Sequence, residues 1–304
     1  MMASADISTA VVGRFAPSPT GEMHLGNVAA ALLSWLSAKQ QGGLWRLRIE
    51  DLDPQRSRQE YADRLMRDLE WFGLTWDGEV LYQSRRTEVY RQYLQQLEEH
   101  TYLCTCTRNE ILAAQAPHES DGRIVYPGTC RNKHLSGVAA ATRLMVPDED
   151  IRFDDRVYGR QAVNLASHCG DFILRRSDGV FAYQLAVVVD DALSGVTEVV
   201  RGRDLLLSAA QQIYLYRLLG FAPPTYCHHP LLVNEQGQRL CKRDRSLALG
   251  AMRTSRTAEQ IIGRLAHALH LTATAEPLTP EQLLPLFNWD NIPKQDINIY
   301  EYED

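Results

Sequence analysis

The 304-residue chain carries 38 acidic and 32 basic side chains, for a formal net charge of −6, with 45% hydrophobic and 23% charged residues. That composition is globular and excludes fibrous and disordered classes; the acidic balance excludes blanket phosphate binding but leaves room for local basic patches. No run of 18 apolar residues marks a membrane span, and Met1 to Ala10 lacks the basic and apolar regions of a signal peptide, so the expected location is cytoplasmic.

Val11 to Phe15 suits a short buried strand, and Ala16-Pro-Ser-Pro-Thr-Gly21 a turn. Leu25 to Lys39, rich in Ala and Leu and free of Pro, predicts a helix. Leu44, Arg46, Arg48 and Glu50 alternate with Trp45, Leu47 and Ile49, which is strand period. Ser57 with Glu60 has the spacing of a capping box, ahead of a helix whose Tyr61, Leu65, Leu69 and Phe72 share a face. A further helix is expected over Glu88 to Glu99. Strands alternating with helices favour an α/β fold with a parallel sheet.

Residues 102–134 break this pattern with three Cys, two Pro and two Gly, and read as an insertion. Strand-like pieces follow at Ala140–Val146 and Asp171–Arg175. Val187 to Val189, ending in Asp190-Asp191, and Val196 to Val200 are apolar β-branched runs. Ser208 with Gln211 suggests a second capping box, Asn234 to Asp244 a polar loop, and Thr257 to His270 a last helix. The cysteines are Cys104, Cys106, Cys130, Cys169, Cys227 and Cys241; the first three fall within 27 residues. Without a secretion signal, that cluster reads as a metal site rather than as disulfides, and three soft ligands suit tetrahedral Zn²⁺.

Arg14 to Asn27 is a strand running through a Pro/Gly turn into a helix. Such a helix N-terminus presents free N–H groups to phosphate. Gly21 and Gly26 permit close approach of a nucleotide, and His24 at the helix mouth can donate to a phosphate oxygen. Taken alone, His24 is better explained as a helix cap; the whole string changes that. Arg14-Phe-Ala-Pro-Ser-Pro-Thr-Gly21 followed by His24-Leu-Gly-Asn27 resembles the signature of class I aminoacyl-tRNA synthetases, and of their glutamyl branch in particular. Asn27 stands where that signature has its final His.

The resemblance covers roughly residues 11 to 250 and implies a Rossmann-type catalytic domain, with a parallel sheet and helices on both faces. It implies that Arg14, Ala16, Ser18, Glu50, Tyr183 and Arg201 bind glutamate, with Glu50 on the amino group. Arg14 and Arg201 are the candidates for carboxylates, since a buried carboxylate calls for bidentate guanidinium. ATP with Mg²⁺ is expected over His24, Gly26 and Asn27. Arg239-Leu-Cys-Lys-Arg243 resembles the second class I signature, with Lys242 neutralising the departing pyrophosphate. Zinc-bearing members of the branch share the Cys-x-Cys of Cys104 and Cys106 and the Tyr-x-x-x-Cys of Tyr126 and Cys130. Tyr126 is then the fourth ligand, in competition with His118 or His134.

The expected division is 1–101 and 135–250 for the halves of the catalytic domain, 102–134 for the zinc-binding insertion, and 251–304 for a small helical C-terminal region with an acidic tail. Only 61 residues follow Arg243, too few for the helical anticodon-binding region of a full glutamyl-tRNA synthetase. The glutamyl-Q tRNA(Asp) synthetase family has this form; there the acceptor is queuosine in the tRNA(Asp) anticodon, and a monomer is expected. The rivals are a truncated synthetase charging a tRNA 3′ end, a non-tRNA ligase using the same adenylate, and an inactive tRNA-binding module. Glu50, Arg201 and Lys242 together weigh against the last.

Overall fold

Alternation along the first two strands decides how the molecule is layered. The computed structural model describes residues 10–114, 125–240 and 249–302. In it β1 (Val12–Phe15) and β2 (Leu44–Ile49) pair in parallel, with Arg14 opposite Arg46. Successive side chains point to opposite faces of such a pair. Phe15, Trp45, Leu47 and Ile49 therefore enter one core with α1 (Leu25–Gln40), while Arg14, Arg46 and Arg48 take the other face.

After α2 (Gln59–Trp71), β3 (Leu81–Tyr82) extends this sheet in parallel beside β2. On the other side of β1 lies β9 (Glu198–Gly202), tied where the Thr197 N–H donates to the Val12 carbonyl at 2.9 Å. β9 pairs in parallel with β10 (Thr225–His229), and β10 with β6 (Asp150–Asp155); β7 (Gly159–Asn164) closes that edge antiparallel to β6. Val199 and Tyr226 belong to a second core with α3 (Thr87–Gln96), α6 (Tyr183–Leu193) and α7 (Leu206–Leu218), whereas their neighbours Val200 and Cys227 belong to the first. Parallel strands thus separate two apolar layers, each covered by helices, as expected for the α/β class.

The cysteine-bearing segment has its own sheet. β4 (Thr101–Cys104) pairs antiparallel with β5 (Ala141–Leu144), and β5 with β8 (Phe172–Arg175). The short helices α4 (Arg108–Ala114) and α5 (Leu165–His168) flank it in sequence. The unit expected over 102–134 therefore shares its sheet with strands well beyond residue 134.

The C-terminal region is not only helical. β11 (Leu232–Val233) pairs in parallel with β12 (Ile297–Asn298), and Asp296 bonds Arg203 at 2.5 Å and the Leu231 N–H at 2.9 Å. Between them come α8 (Leu249–Met252), α9 (Ala258–Ala268) and α10 (Pro280–Leu283). Thr257 with Gln260 and Thr279 with Gln282 cap the last two as reciprocal boxes.

Three local expectations change. α2 begins after Arg58 with no side-chain cap, and the Ser57 hydroxyl is buried without a partner. Ser208 lies inside α7, which begins at Leu206, and the Gln211 amide reaches Gln184 instead. Val187 to Val189 lie in a helix, because the whole of that stretch of α6 is buried between sheet and α7 and packing overrides β-branched preference.

The two aspartates at the end of that valine run anchor the layers. Asp190 accepts from Gln83 Nε2 at 2.9 Å, Arg86 Nε at 2.6 Å and the Tyr90 hydroxyl at 2.7 Å. Asp191 accepts from Arg14 Nε at 3.3 Å and from Arg48 Nη1, so one carboxylate joins β1, β2 and α6. Removing one partner from a buried charge group leaves the others uncompensated. Asp191→Ala is expected to cost about 3–5 kcal/mol of stability, measured by chemical denaturation; a variant as stable as the parent would show that the group contributes nothing.

Candidate functional site

The helix mouth is built by α1's own cap. His24 is its N-cap: Nδ1 accepts from the Gly26 N–H at 3.1 Å, and Asn27 Oδ1 accepts from the His24 N–H at 3.1 Å. This explains Asn27 in the position of a signature His, as the second half of a capping box whose composition hid it from pattern reading. A Cβ on Gly26 would lie 3.0 Å from two atoms of the His24 ring, so any side chain there displaces the imidazole. The preceding turn is pinned where the Glu50 and Arg58 N–H groups donate to the carbonyls of Pro17 and Pro19, each at 3.0 Å.

A cleft of about 730 Å³ opens at this mouth. Arg14, Ala16, Ser18, His24, Gly26, Asn27, Glu50, Tyr183 and Arg201 all line it, so every substrate residue expected from the sequence and described here meets in one place. Arg239 and Leu240 line it as well, and Arg239 is ion-paired with Asp204. Lys242 and Cys241, next along that loop, lie outside the described residues, as does His118.

The cleft floor is charged. Arg14 and Arg48 are buried against Asp191, and Arg48 Nη2 also donates to Glu50 Oε1 at 3.2 Å. Burial alone would raise the Asp191 carboxyl, but the two guanidiniums hold it below the usual range. Glu50 goes the other way: burial raises it above an ordinary carboxylate despite Arg48 and Arg14.

Arg201 is held differently. Nε donates to His228 Nε2 at 2.9 Å, Nη1 to Gln212 Oε1 at 2.8 Å and to the Tyr183 hydroxyl at 3.4 Å, and Nη2 to the Leu205 carbonyl at 3.2 Å. His228 is opposite Arg201 in the parallel pairing of β10 with β9, and its Nδ1 lies 2.7 Å from Asp155 Oδ2. Burial pushes the His228 imidazole down to about 4, outweighing the pull of Asp155. Sequence reasoning missed His228, Asp155 and Gln212, which come from separate elements; only strand register brings His228 to Arg201 and Asp155 to His228.

A second centre lies on the cysteine sheet. The sulfurs of Cys104, Cys106 and Cys130 all fall within 4.8 Å of one another, and this group could hold a metal ion. The Tyr126 hydroxyl is 3.3 Å from Cys104 Sγ and 3.7 Å from Cys106 Sγ, and accepts from the Cys130 N–H at 2.9 Å. No histidine joins the cluster among the described residues. The Arg143 guanidinium lies 3.7 Å over the Tyr126 ring. Burial would raise the Cys130 thiol, but the Thr105 N–H and the neighbouring Cys106 and Tyr126 bring it down to about 7. Gly170 sets the Tyr126 backbone: at φ +64°, it admits the Tyr126 carbonyl to 2.1 Å from where a Cβ would stand.

The chain matches the family model for class I tRNA synthetases (E and Q), catalytic domain, over residues 10–266. It is 49% identical to glutamyl-Q tRNA(Asp) synthetase of Thiobacillus denitrificans over 261 residues, covering 85% of this chain and 86% of that protein. It is 46% identical to the same-named protein of Nitratidesulfovibrio vulgaris over 302 residues, covering 92% and 93%. Among solved structures, a glutamate tRNA ligase of Elizabethkingia meningosepticum in complex with its amino acid superposes with a TM-score of 0.82 at 27% identity, over 95% of this chain and 67% of that one. The fold, the cleft and these matches together place the chain in the class I tRNA synthetase (E and Q) family, on its glutamyl-Q tRNA(Asp) synthetase branch.

Proposed function

We propose that this chain activates glutamate with ATP as glutamyl-adenylate and transfers it to queuosine in the anticodon of tRNA(Asp). The observation that carries the reading is the convergence of nine residues singled out in the sequence, from Arg14 to Arg201, on one cleft at the start of α1. The acceptor is supported by relatives of that name that cover 85% and 92% of this chain.

ATP lies over the N-terminus of α1, its phosphates beside Gly26, Asn27 and the His24 imidazole at the positive end of the helix dipole, while the Gly26 N–H stays with His24 Nδ1 and the Asn27 N–H with the His24 carbonyl. Glu50 holds the substrate ammonium, while Arg14, Arg201 and Tyr183 hold carboxylate. The α-carboxylate attacks the α-phosphorus in line, forming the mixed anhydride as pyrophosphate leaves toward Lys242. Positioning and charge stabilisation supply most of the rate. A queuosine hydroxyl then attacks the anhydride carbonyl and releases AMP. Mg²⁺ accompanying ATP would offset the charge that builds on the departing pyrophosphate. Cys104, Cys106, Cys130 and Tyr126 would hold one structural Zn²⁺: the three cysteines offer soft thiolate donors, and a bound cation would lower the pKa of the Tyr126 phenol beside them.

Three measurements bear on this reading. Elemental analysis should find about one zinc per chain, and Cys104→Ser should lower stability more than it lowers adenylate formation; metal-free protein of unchanged stability would remove the metal assignment. Because burial raises Glu50, its carboxyl protonates on acidification before an ordinary glutamic acid at about 4.3 does, and loses its grip on the ammonium. The glutamate KM should therefore climb as pH falls toward that range, and Glu50→Gln should flatten the climb; an equal climb in the variant assigns it to another group. Finally, periodate oxidation of the tRNA 3′-terminal diol, with the queuosine diol left intact, should not block transfer of labelled glutamate. Label lost with the 3′-terminal adenosine would instead identify an enzyme that charges tRNA ends.

A further inference from the structure

We propose that His228 and Gln212 are positioning residues that hold Arg201 through neutral acceptors alone, leaving its whole positive charge for the substrate carboxylate. This rests on the reading that Arg201 receives glutamate. Arg14 and Arg201, which line the cleft, and Arg48, buried behind it, divide on this point. Arg14 and Arg48 both donate to Asp191, and Arg48 also to Glu50, so two cations are matched by two anions. Arg201 is just as buried, yet its partners are an imidazole, a primary amide, a phenol and a backbone carbonyl. The face of Tyr226, 5.2 Å from the guanidinium carbon, adds a neutral ring. No carboxylate among the described residues forms an ion pair with it. Burying a guanidinium this way is costly, and a carboxylate on any side would relieve the cost while cancelling the charge a ligand needs.

Both acceptors are oriented by what stands behind them. His228 Nε2 can accept from Arg201 only if the ring proton is on Nδ1, and Asp155 Oδ2, 2.7 Å from Nδ1, selects that tautomer. Asp155 is itself fixed: Oδ2 also accepts from the His228 N–H at 3.1 Å, and Oδ1 from the N–H groups of Val157 and Tyr158 at 3.0 and 2.9 Å. Gln212 heads a run of amides aligned in one sense. Its NH₂ donates to Gln184 Oε1 at 2.8 Å, Gln184 donates to Gln211 Oε1 at 2.7 Å, and Gln211 to Cys169 Sγ at 3.4 Å. Turning Gln212 over would set its NH₂ against the guanidinium and its oxygen against the Gln184 oxygen, so the direction of the run is dictated from Arg201 outward.

The decisive variant is Gln212→Glu, which keeps the shape and the acceptor toward Arg201, adds an anion, and gives up the NH₂ that meets Gln184, whose amide then turns over to donate. It should lower kcat/KM for glutamate in ATP–pyrophosphate exchange on the order of a hundredfold, chiefly through KM. The KM for ATP should hold, the melting temperature should stay or rise, and discrimination against glutamine should shrink. A purely structural Gln212 predicts an unchanged glutamate KM and unchanged discrimination against glutamine, since Glu would only tighten the pair with Arg201. His228→Leu, which removes the second acceptor, should raise the glutamate KM about tenfold, and His228→Gln, which can return an oxygen to Arg201 Nε, should recover most of that. Arg201→Ala separates the two levels of the argument. If it leaves the glutamate KM unchanged, Arg201 does not receive substrate and the underlying reading falls. If it impairs binding while Gln212→Glu does not, only the neutral-acceptor inference is overturned.

Discussion

The buried carboxylate of Asp191, shared by Arg14 and Arg48, is the interaction on which the rest of the molecule turns. It forms where the C-terminal part of α6 crosses the polar face of β1 and β2, and it is the reason that face can be polar at all. Two buried arginines, Arg14 and Arg48, on one side of the sheet would otherwise prevent the helix from docking. With Asp191 in place, α6 docks, Asp190 ties α3 to the same point, and the second apolar core closes around both.

The same carboxylate shapes the cleft. By engaging Arg14 and Arg48 it fixes their forks, and Arg48 in turn reaches Glu50 at the end of β2. The cleft therefore has a balanced, rigid floor on one side and a cation with neutral neighbours on the other. A substrate with one ammonium and two carboxylates meets both kinds of surface, and preorganised charge of this sort needs little rearrangement on binding.

How far the sequence could be read follows from how local each feature is. The strand, turn and helix of Arg14 to Asn27 are contiguous, so their composition and spacing locate one wall of the cleft directly. The alternation of Leu44 to Glu50 foretells which residues face α1. By contrast, the helical fate of Val187 to Val189 is decided by burial between sheet and α7, and the partners of Arg201 depend on the register of β9 with β10 and on which face of α7 turns inward. Ser57 and Ser208 had the spacing of caps but not the helix starts, because the true boundaries are set by tertiary packing. Asn27 shows the reverse: a capping function carried by a residue pair outside the usual pattern.

The pairing of β11 with β12 has a consequence for the loop between Asn234 and Leu240. That loop springs from Val233, and its base is stitched to Asp296, Ile297 and Asn298, which arrive from the far end of the chain. Asp296 also clasps Arg203, at the tip of β9 and two residues past Arg201. The final segment thus acts as a buckle, fastening the strap that carries Arg239 to the strand that carries Arg201. Both walls of the cleft share one mooring, so a disturbance some sixty residues downstream in sequence can be felt at each of them together.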